Sequence, residues 1–300
     1  MQDGVRARPV AVGRHEVRFL DTIAEAFPSD LRSLIVDWPR WRGLVLDADV
    51  ADHSLPVEQA QWLPPVVPRK LLCVGTNYRD HVREMDVAFG MQTPDPPFPY
   101  SFQKPPTSLV GSGATVPQPS FGKQLDWEVE LAVVIGDPGA AKGPDPLRAV
   151  FGYSILNDLS LRDYIPFPHV LGLDALVAKG FDGAAPMGPW ITLAEHVADP
   201  GALKIGLSVN GEVMQDSSTA EMIFDVPALI THYARILTLE PGDVIATGTP
   251  AGVGAGRRPP RFLAPGDRVR ARIEGLGELD TTIAEPAPGG LLTAESEASA

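Results

Sequence analysis

One cysteine occurs in the 300 residues, Cys73, inside the apolar run Leu71-Leu72-Cys73-Val74. A lone cysteine excludes an intrachain disulfide and any thiolate metal site, and in such a run it reads as a small buried hydrophobe. Long apolar runs are missing as well. No uncharged window approaches the ~18 residues of a membrane span, and Arg6 and Arg8 have no apolar segment behind them. Basic residues are in deficit, 25 Lys and Arg against 38 Asp and Glu, for a net charge of −13. A sequence-independent phosphate binder needs a basic stripe, so a nucleic-acid partner is excluded. An anionic small molecule is not, because a bound metal reverses the local field. No strand, glycine-rich turn and helix follow one another as in a dinucleotide site, and the glycine-rich loop at 248–254 lacks the Lys-Ser/Thr of a phosphate loop. No internal repeat is present. What remains is an ordinary globular balance, 44% apolar and 21% charged, expected in the reducing cytoplasm with neither nucleic-acid nor membrane partners.

Along the chain, residues 1–65 show short apolar runs and tryptophans without assignable chemistry. Pro64, Pro65 and Pro68 form a stiff connector, which sets the expected division into a small N-terminal region (1–65), a main domain (66–284) and a disordered tail (285–300). Leu71–Gly75 reads as a buried strand and Asp80–Met85 as a helical turn. Residues 86–108, rich in proline and aromatics, read as one long loop, a lid over something apolar. Val150–Leu156, Leu203–Val209 and Val244–Ala246 read as strands, with Asn210-Gly211 the strongest hairpin signal. Asp225 is a candidate N-cap for a helix whose apolar face is Leu229, Ile230, Tyr233, Ile236 and Leu237. Arg268, Arg270 and Arg272 alternate with Val269, Ala271 and Ile273, predicting an exposed basic face. Many short strands and few helices make a β-dominated α+β fold.

The chemistry centres on Asp126–Gly136, read as one buried strand with Glu128 and Glu130 at i and i+2. Such residues share a face, and two like charges so close need something positive between them. A hard divalent cation fits; a solvated edge strand is the plainer alternative. Asp158, at the end of its own strand, completes a three-carboxylate set or else is a capping residue. All-oxygen ligands favour Mg²⁺ or Mn²⁺ over zinc, with Ca²⁺ also compatible. His81 and Glu84 sit at i and i+3, neighbours on a helix, where the carboxylate fixes the imidazole as a proton acceptor; the same spacing also occurs on ordinary helix surfaces. Lys179 and Lys104 sit where a cation can approach an anion, although lone lysines are more often surface residues.

These stretches together resemble the fumarylacetoacetate hydrolase family. The resemblance runs from about Lys70 to Leu279. It rests on Cys73-Val74-Gly75-Thr76-Asn77-Tyr78-Arg79-Asp80-His81, Phe102-Gln103-Lys104-Pro105, Asp126-Trp127-Glu128-Val129-Glu130, Asn157-Asp158-Leu159-Ser160-Leu161-Arg162-Asp163, Lys179-Gly180-Phe181-Asp182, Val209-Asn210-Gly211-Glu212 and Pro241–Pro250. It implies a mixed-sheet roll of the fumarylacetoacetase C-terminal domain type, forming a homodimer. It implies Mg²⁺ or Mn²⁺ on Glu128, Glu130 and Asp158, and His81, Glu84 and Lys179 as the catalytic set of the acylpyruvate hydrolase and oxaloacetate decarboxylase branch. Lys104, Ile165, Gly248 and Thr249 then face a small-molecule substrate. Ile165 departs from a glutamine often found there, favouring a bulkier, less polar substrate over one such as oxaloacetate. The implied reaction is hydrolysis of a C–C bond in a 2,4-dioxo acid, or a related β-diketone acid, through an enolate held by the metal. Decarboxylation and enol–keto or dienoate isomerisation use the same enolate, and a non-catalytic metal-binding dimer is the alternative of another class.

Overall fold

The structure is a computed structural model that describes residues 7–13, 16–24, 26–47, 54–165 and 174–286. Strands β1 (Val10–Val12) and β2 (Glu16–Phe19), helices α1 (Leu31–Val36) and α2 (Trp38–Leu46), and β3 (Ser54–Pro56) open the chain. The three strands form an antiparallel sheet. Leu20, Phe27, Leu34 and Trp41 make a small core of their own. Ile35 and Val66 instead join the main body, and Trp38 meets Phe151 edge-on at 5.0 Å.

The main body begins with β4 (Leu71–Gly75), α3 (Arg79–Phe89), β5 (Tyr100–Lys104), β6 (Leu109–Val110) and β7 (Ala114–Pro117). It continues with β8 (Leu125–Asp126), β9 (Val129–Ile135), β10 (Val150–Asn157), β11 (Ser160–Leu161), α4 (Ala175–Lys179) and β12 (Ala185–Leu193). The last elements are β13 (Lys204–Val209), β14 (Glu212–Ser218), α5 (Val226–Ile236), β15 (Val244–Ala246), β16 (Arg268–Ile273) and β17 (Gly277–Ala284). Among the described residues one sheet has the order β5-β4-β15-β9-β10-β12-β6 and a second β14-β13-β16-β17-β7. Parallel pairs (β15 with β4, β12 with β6, β17 with β7) mix with antiparallel ones. The fold is α+β, as expected.

Strand β9 lies in the middle of the larger sheet, and all of its residues are buried. Val129, Leu131, Val133 and Ile135 pack, with Trp127, against Ile205, Leu207, Val269 and Ala271 of the second sheet. Ala132 and Val134 face the other way, against Cys73, Leu156, Val244 and Ala246. Each fully buried Val, Leu or Ile stabilises by roughly 1.5–3 kcal/mol. The five in β9 therefore outweigh the several kcal/mol that burying the Glu130 charge costs. The edge-strand alternative does not hold.

Other expectations meet the structure unevenly. Asn210 and Gly211 both take positive φ, 52° and 84°, and turn β13 into β14. Arg268, Arg270 and Arg272 are exposed between buried neighbours. The stretch 126–136 is not one strand. Asp126 pairs with Ser160 in a small separate ladder, and the chain crosses to the larger sheet at Trp127 and Glu128, where Trp127 Nε1 donates to Gly252 O at 3.1 Å. Residues 86–108 are not one loop either: α3 continues to a left-handed cap at Gly90, and Tyr100–Lys104 is an edge strand on β4. The prolines confine irregular backbone to 91–99. Ile236, assigned to the apolar face of α5, is 62% exposed, and Val226 and Ala234 are buried there in its stead. Pro166–Pro168, Gly172-Leu173 and the tail beyond 286 lie outside the described residues.

Candidate active site

The antiparallel register of β9 and β10 assembles the carboxylates. Glu130 pairs with Leu156 and Val129 with Asn157, so Asp158 falls opposite Glu128, and its N–H donates to Glu128 O at 2.8 Å. Residues directly opposite share a face. Glu128, Glu130 and Asp158 thus point together, one carboxylate oxygen of each lying within 4.8 Å of the others. All three are buried. The Asn157 side chain pins the crossing by accepting from Glu128 N–H at 2.9 Å.

Three cations surround the carboxylates. Lys179 Nζ, at the end of α4, donates to Glu128 Oε2 at 2.7 Å, Asp158 Oδ2 at 2.6 Å and Ser160 Oγ at 2.7 Å. Arg162 Nε donates to Asp126 Oδ2 at 2.8 Å while its Nη2 reaches Glu128 Oε1. Lys104, 2% exposed, spends its ammonium on Asp158 Oδ1, Ala184 O and Leu159 O. The lysine expected at the substrate instead stands behind a carboxylate, its donors used within the protein. Among the described residues Asp126, Glu128, Glu130 and Asp158 face Lys104, Arg162 and Lys179, which leaves one negative charge.

The carboxyl left without a counter-charge is Glu130. Burial works against the charge on Glu128, but Lys179 and Arg162 outweigh it and hold its carboxyl well below the usual carboxylate range. Burial pushes the Glu130 carboxyl well up, and the Asp158 and Glu128 charges push it further. Its one hydrogen-bond donor among the described residues is Gly248 N–H, at 2.9 Å on Oε2. A buried carboxylate without a cationic hydrogen-bond partner, inside an all-oxygen cluster, fits a hard divalent ion. Such an ion turns the cluster from one negative charge to one positive, which suits an anionic ligand.

His81, 7% exposed, lies on the first turn of α3, with Nδ1 at 3.3 Å from Glu84 Oε2. A carboxylate only accepts, so Nδ1 turns a proton toward Glu84 and Nε2 is the ring nitrogen left for a ligand or water. Glu84 is itself held by Gly252 N–H at 2.9 Å on Oε1. The loop after β15 closes the other side. Gly248 has φ +92°, and a Cβ there would lie 2.9 Å from Asn77 Cβ and 3.0 Å from Val74 O, so only glycine brings this N–H to Glu130. Thr249 is joined by Gln215, whose Nε2 donates to Thr249 Oγ1 at 2.8 Å. Ile165 is half-buried beside Arg162, its N–H bonded to Arg162 O at 3.2 Å.

Sequence reasoning gave no role to Asp126, Arg162 or Gln215. Asp126 accepts from the N–H groups of Gly254 (2.7 Å) and Ala255 (3.0 Å) as well as from Arg162. Arg162, four residues past Asp158, was the one with a local signal, a charge beside a buried acidic cluster. Gln215 had none, since its partners are 86 and 34 residues away in the chain.

A family model for the fumarylacetoacetate (FAA) hydrolase C-terminal domain matches residues 70–284. A mitochondrial oxaloacetate tautomerase of Bos taurus is 44% identical over 225 residues, 74% of this chain and 69% of that protein. The structure of a fumarylacetoacetate hydrolase from psychrophilic Exiguobacterium antarcticum superposes with a TM-score of 0.74 at 36% identity, covering 95% of this chain and 97% of that one. A maleylpyruvate hydrolase from Sphingobium sp. SYK-6, in complex with manganese(II) and pyruvate, gives a TM-score of 0.74 at 29% identity over 94% and 98% of the two chains. With most of its length matched and the acidic triad in place, the chain belongs to the fumarylacetoacetate hydrolase family and is an enzyme of it.

Proposed function

We propose that the protein is a hydrolase of a C–C bond in a 2,4-dioxo acid or related β-diketone acid, using Mg²⁺ or Mn²⁺ held by Glu128, Glu130 and Asp158. The observation that carries this reading is the His81–Glu84 pair, fixed by Gly252 beside the acidic cluster. A bound divalent ion supplies Lewis-acid stabilisation of charge on the 2-oxo oxygen. The residues of the chain do the rest. His81 Nε2 takes a proton from water, and the hydroxide adds to the distal carbonyl. The C–C bond then breaks, releasing a carboxylic acid and the enolate of a 2-oxo acid, which takes up a proton. Burial works against the charge on Lys179, but Asp158 and Glu128 outweigh it and raise its pKa; with its three protons on Glu128, Asp158 and Ser160, it acts on the developing negative oxygen through its charge. Lys104 and Arg162 hold Asp158 and Glu128 in their ligand positions through ion pairs. Ile165, where a polar amide is replaced by an apolar side chain, favours a bulky acyl group. We assign the reaction to the cytoplasm on the single buried Cys73.

Enol–keto tautomerisation of a 2-oxo acid is the second reading, favoured by the 44% identity to the oxaloacetate tautomerase. It uses His81 to move a proton with no water attack. Mass analysis together with the ultraviolet absorbance of the enol, after incubation with acylpyruvates, oxaloacetate and 2-hydroxy-dienoates with Mn²⁺ or Mg²⁺ present, separates the two. Two carbon fragments from an acylpyruvate are expected. An isomer of unchanged mass supports the tautomerase, and failure of every substrate rejects both.

A further inference from the structure

Gln215 is 1% exposed on β14 and belongs to no element that carries a candidate ligand or base. Its amide meets two backbone groups of opposite kind. Oε1 accepts from Val129 N–H at 3.0 Å, and Nε2 donates to Pro250 O at 2.8 Å. A donor on one side and an acceptor on the other fix which end of the amide is oxygen. The second amide proton goes to Thr249 Oγ1 at 2.8 Å. Thr249 Oγ1 is therefore an acceptor in this bond, and its own single proton is left to donate. No acceptor for that proton occurs among the hydrogen bonds of the described residues.

The position of these bonds matters as much as their sense. Val129 N–H belongs to the peptide between Glu128 and Glu130, and Gly248, next to Thr249, gives its N–H to Glu130. One buried amide thus ties the strand of two carboxylates to the loop of Gly248 and Thr249. A hydroxyl that donated to the protein would have no proton left for a ligand; one that accepts from Gln215 has one lone pair engaged and keeps its single proton for a ligand. Carboxylate and oxo oxygens are acceptors alone, so a hydroxyl whose proton is kept available suits the anionic end of a 2-oxo acid. We propose that Gln215 is a positioning residue for the reaction, orienting Thr249 so that its hydroxyl proton is kept to donate to an acceptor oxygen of the substrate. This rests on the reading that the site takes a 2-oxo acid.

The test titrates oxalate, the smallest chelating dianion of this kind, into protein loaded with Mn²⁺, and titrates Mn²⁺ alone separately. Gln215→Glu keeps the acceptor for Val129 N–H but replaces the donor to Thr249 with a second acceptor, turning the Thr249 proton back. The expected result is about tenfold weaker oxalate binding, with Mn²⁺ affinity within about twofold of wild type. Gln215→Met, of similar volume and neutral, is the second arm, with the same loss expected. In a Thr249→Val background neither change should weaken oxalate by more than about twofold, because their effect passes through the hydroxyl. Unchanged oxalate affinity in both variants, or an equal loss with and without the Thr249 hydroxyl, overturns the proposal. Wild-type protein that binds Mn²⁺ but no oxalate overturns the 2-oxo acid reading itself, and this proposal with it.

Discussion

Glu130 is 1% exposed, with Asp158 and Glu128 beside it and one backbone N–H as donor. Replacing it with glutamine keeps the acceptor for Gly248 and removes one of three like charges. In EDTA at pH 8, Glu130→Gln is expected to unfold at a higher temperature than wild type, by about 2–4 °C for each kcal/mol of repulsion relieved. With Mn²⁺ the order reverses. Wild type gains about 2.7 kcal/mol at a metal concentration of 100 times Kd, and the variant gains little. Calorimetry in both conditions checks this, and a variant less stable than wild type in EDTA contradicts it. Lys104 makes the opposite case, since its ammonium is one of two buried counter-charges of Asp158, beside Lys179. Lys104→Met nearly keeps the volume and takes one of the two from that carboxylate, so a loss of about 3–5 kcal/mol is expected from urea unfolding of the metal-free protein. A loss under about 1 kcal/mol would show that Lys179 alone suffices for Asp158.

Helix α1 is six residues long and depends on its start, where Asp30 accepts from Ser33 N–H at 2.9 Å and from the Ser33 hydroxyl at 2.7 Å. Burial works against the Asp30 charge, but these two bonds outweigh it and lower its pKa. The folded value lies below the unfolded one of about 3.9. The cap's contribution is thus complete above that pH and is lost as pH falls through the folded value. Asp30→Ala should cost about 1 kcal/mol near neutral pH and Asp30→Asn little. The gap between wild type and Asp30→Ala should close on acidification; a gap that stays constant would assign the cost to packing. Elements were legible in the sequence where their cause is local. Asn210-Gly211 announces its hairpin because both residues tolerate positive φ, and the alternation after Asp126 announces the shared face of Glu128 and Glu130. The break at Trp127 was not legible, because it depends on Gly252 O and the Asn157 side chain, 125 and 29 residues away. Tyr100–Lys104 was hidden by surrounding prolines, although an edge strand tolerates them. Gln215 and the burial of Lys104 are likewise products of long-range packing.

At the scale of the whole molecule, Val87, Phe89, Met91, Phe98 and Tyr100 stand in solvent along one segment, between 46% and 85% exposed. We propose that a second copy of the chain covers this apolar surface, the homodimer that the family resemblance implies. A homodimer is expected, and light scattering at micromolar concentration should return twice the chain mass; a monomer throughout that range removes the expectation. The hairpin of β9 and β10 has a consequence of another kind. The triad owes its geometry to a pairing in which Asp158 lies opposite Glu128, and that pairing is blind to what joins the two strands. Residues 142–145, the exposed part of the connection between them, can therefore be lengthened, shortened or exchanged while the triad stays intact, provided Ala141 and Ala149 keep their buried places in the core. A single residue inserted at 132 would turn every side chain before it to the other face, carrying two carboxylates into an apolar core. Tolerance of change here is set by counting along the ladder, with distance from the site of little importance.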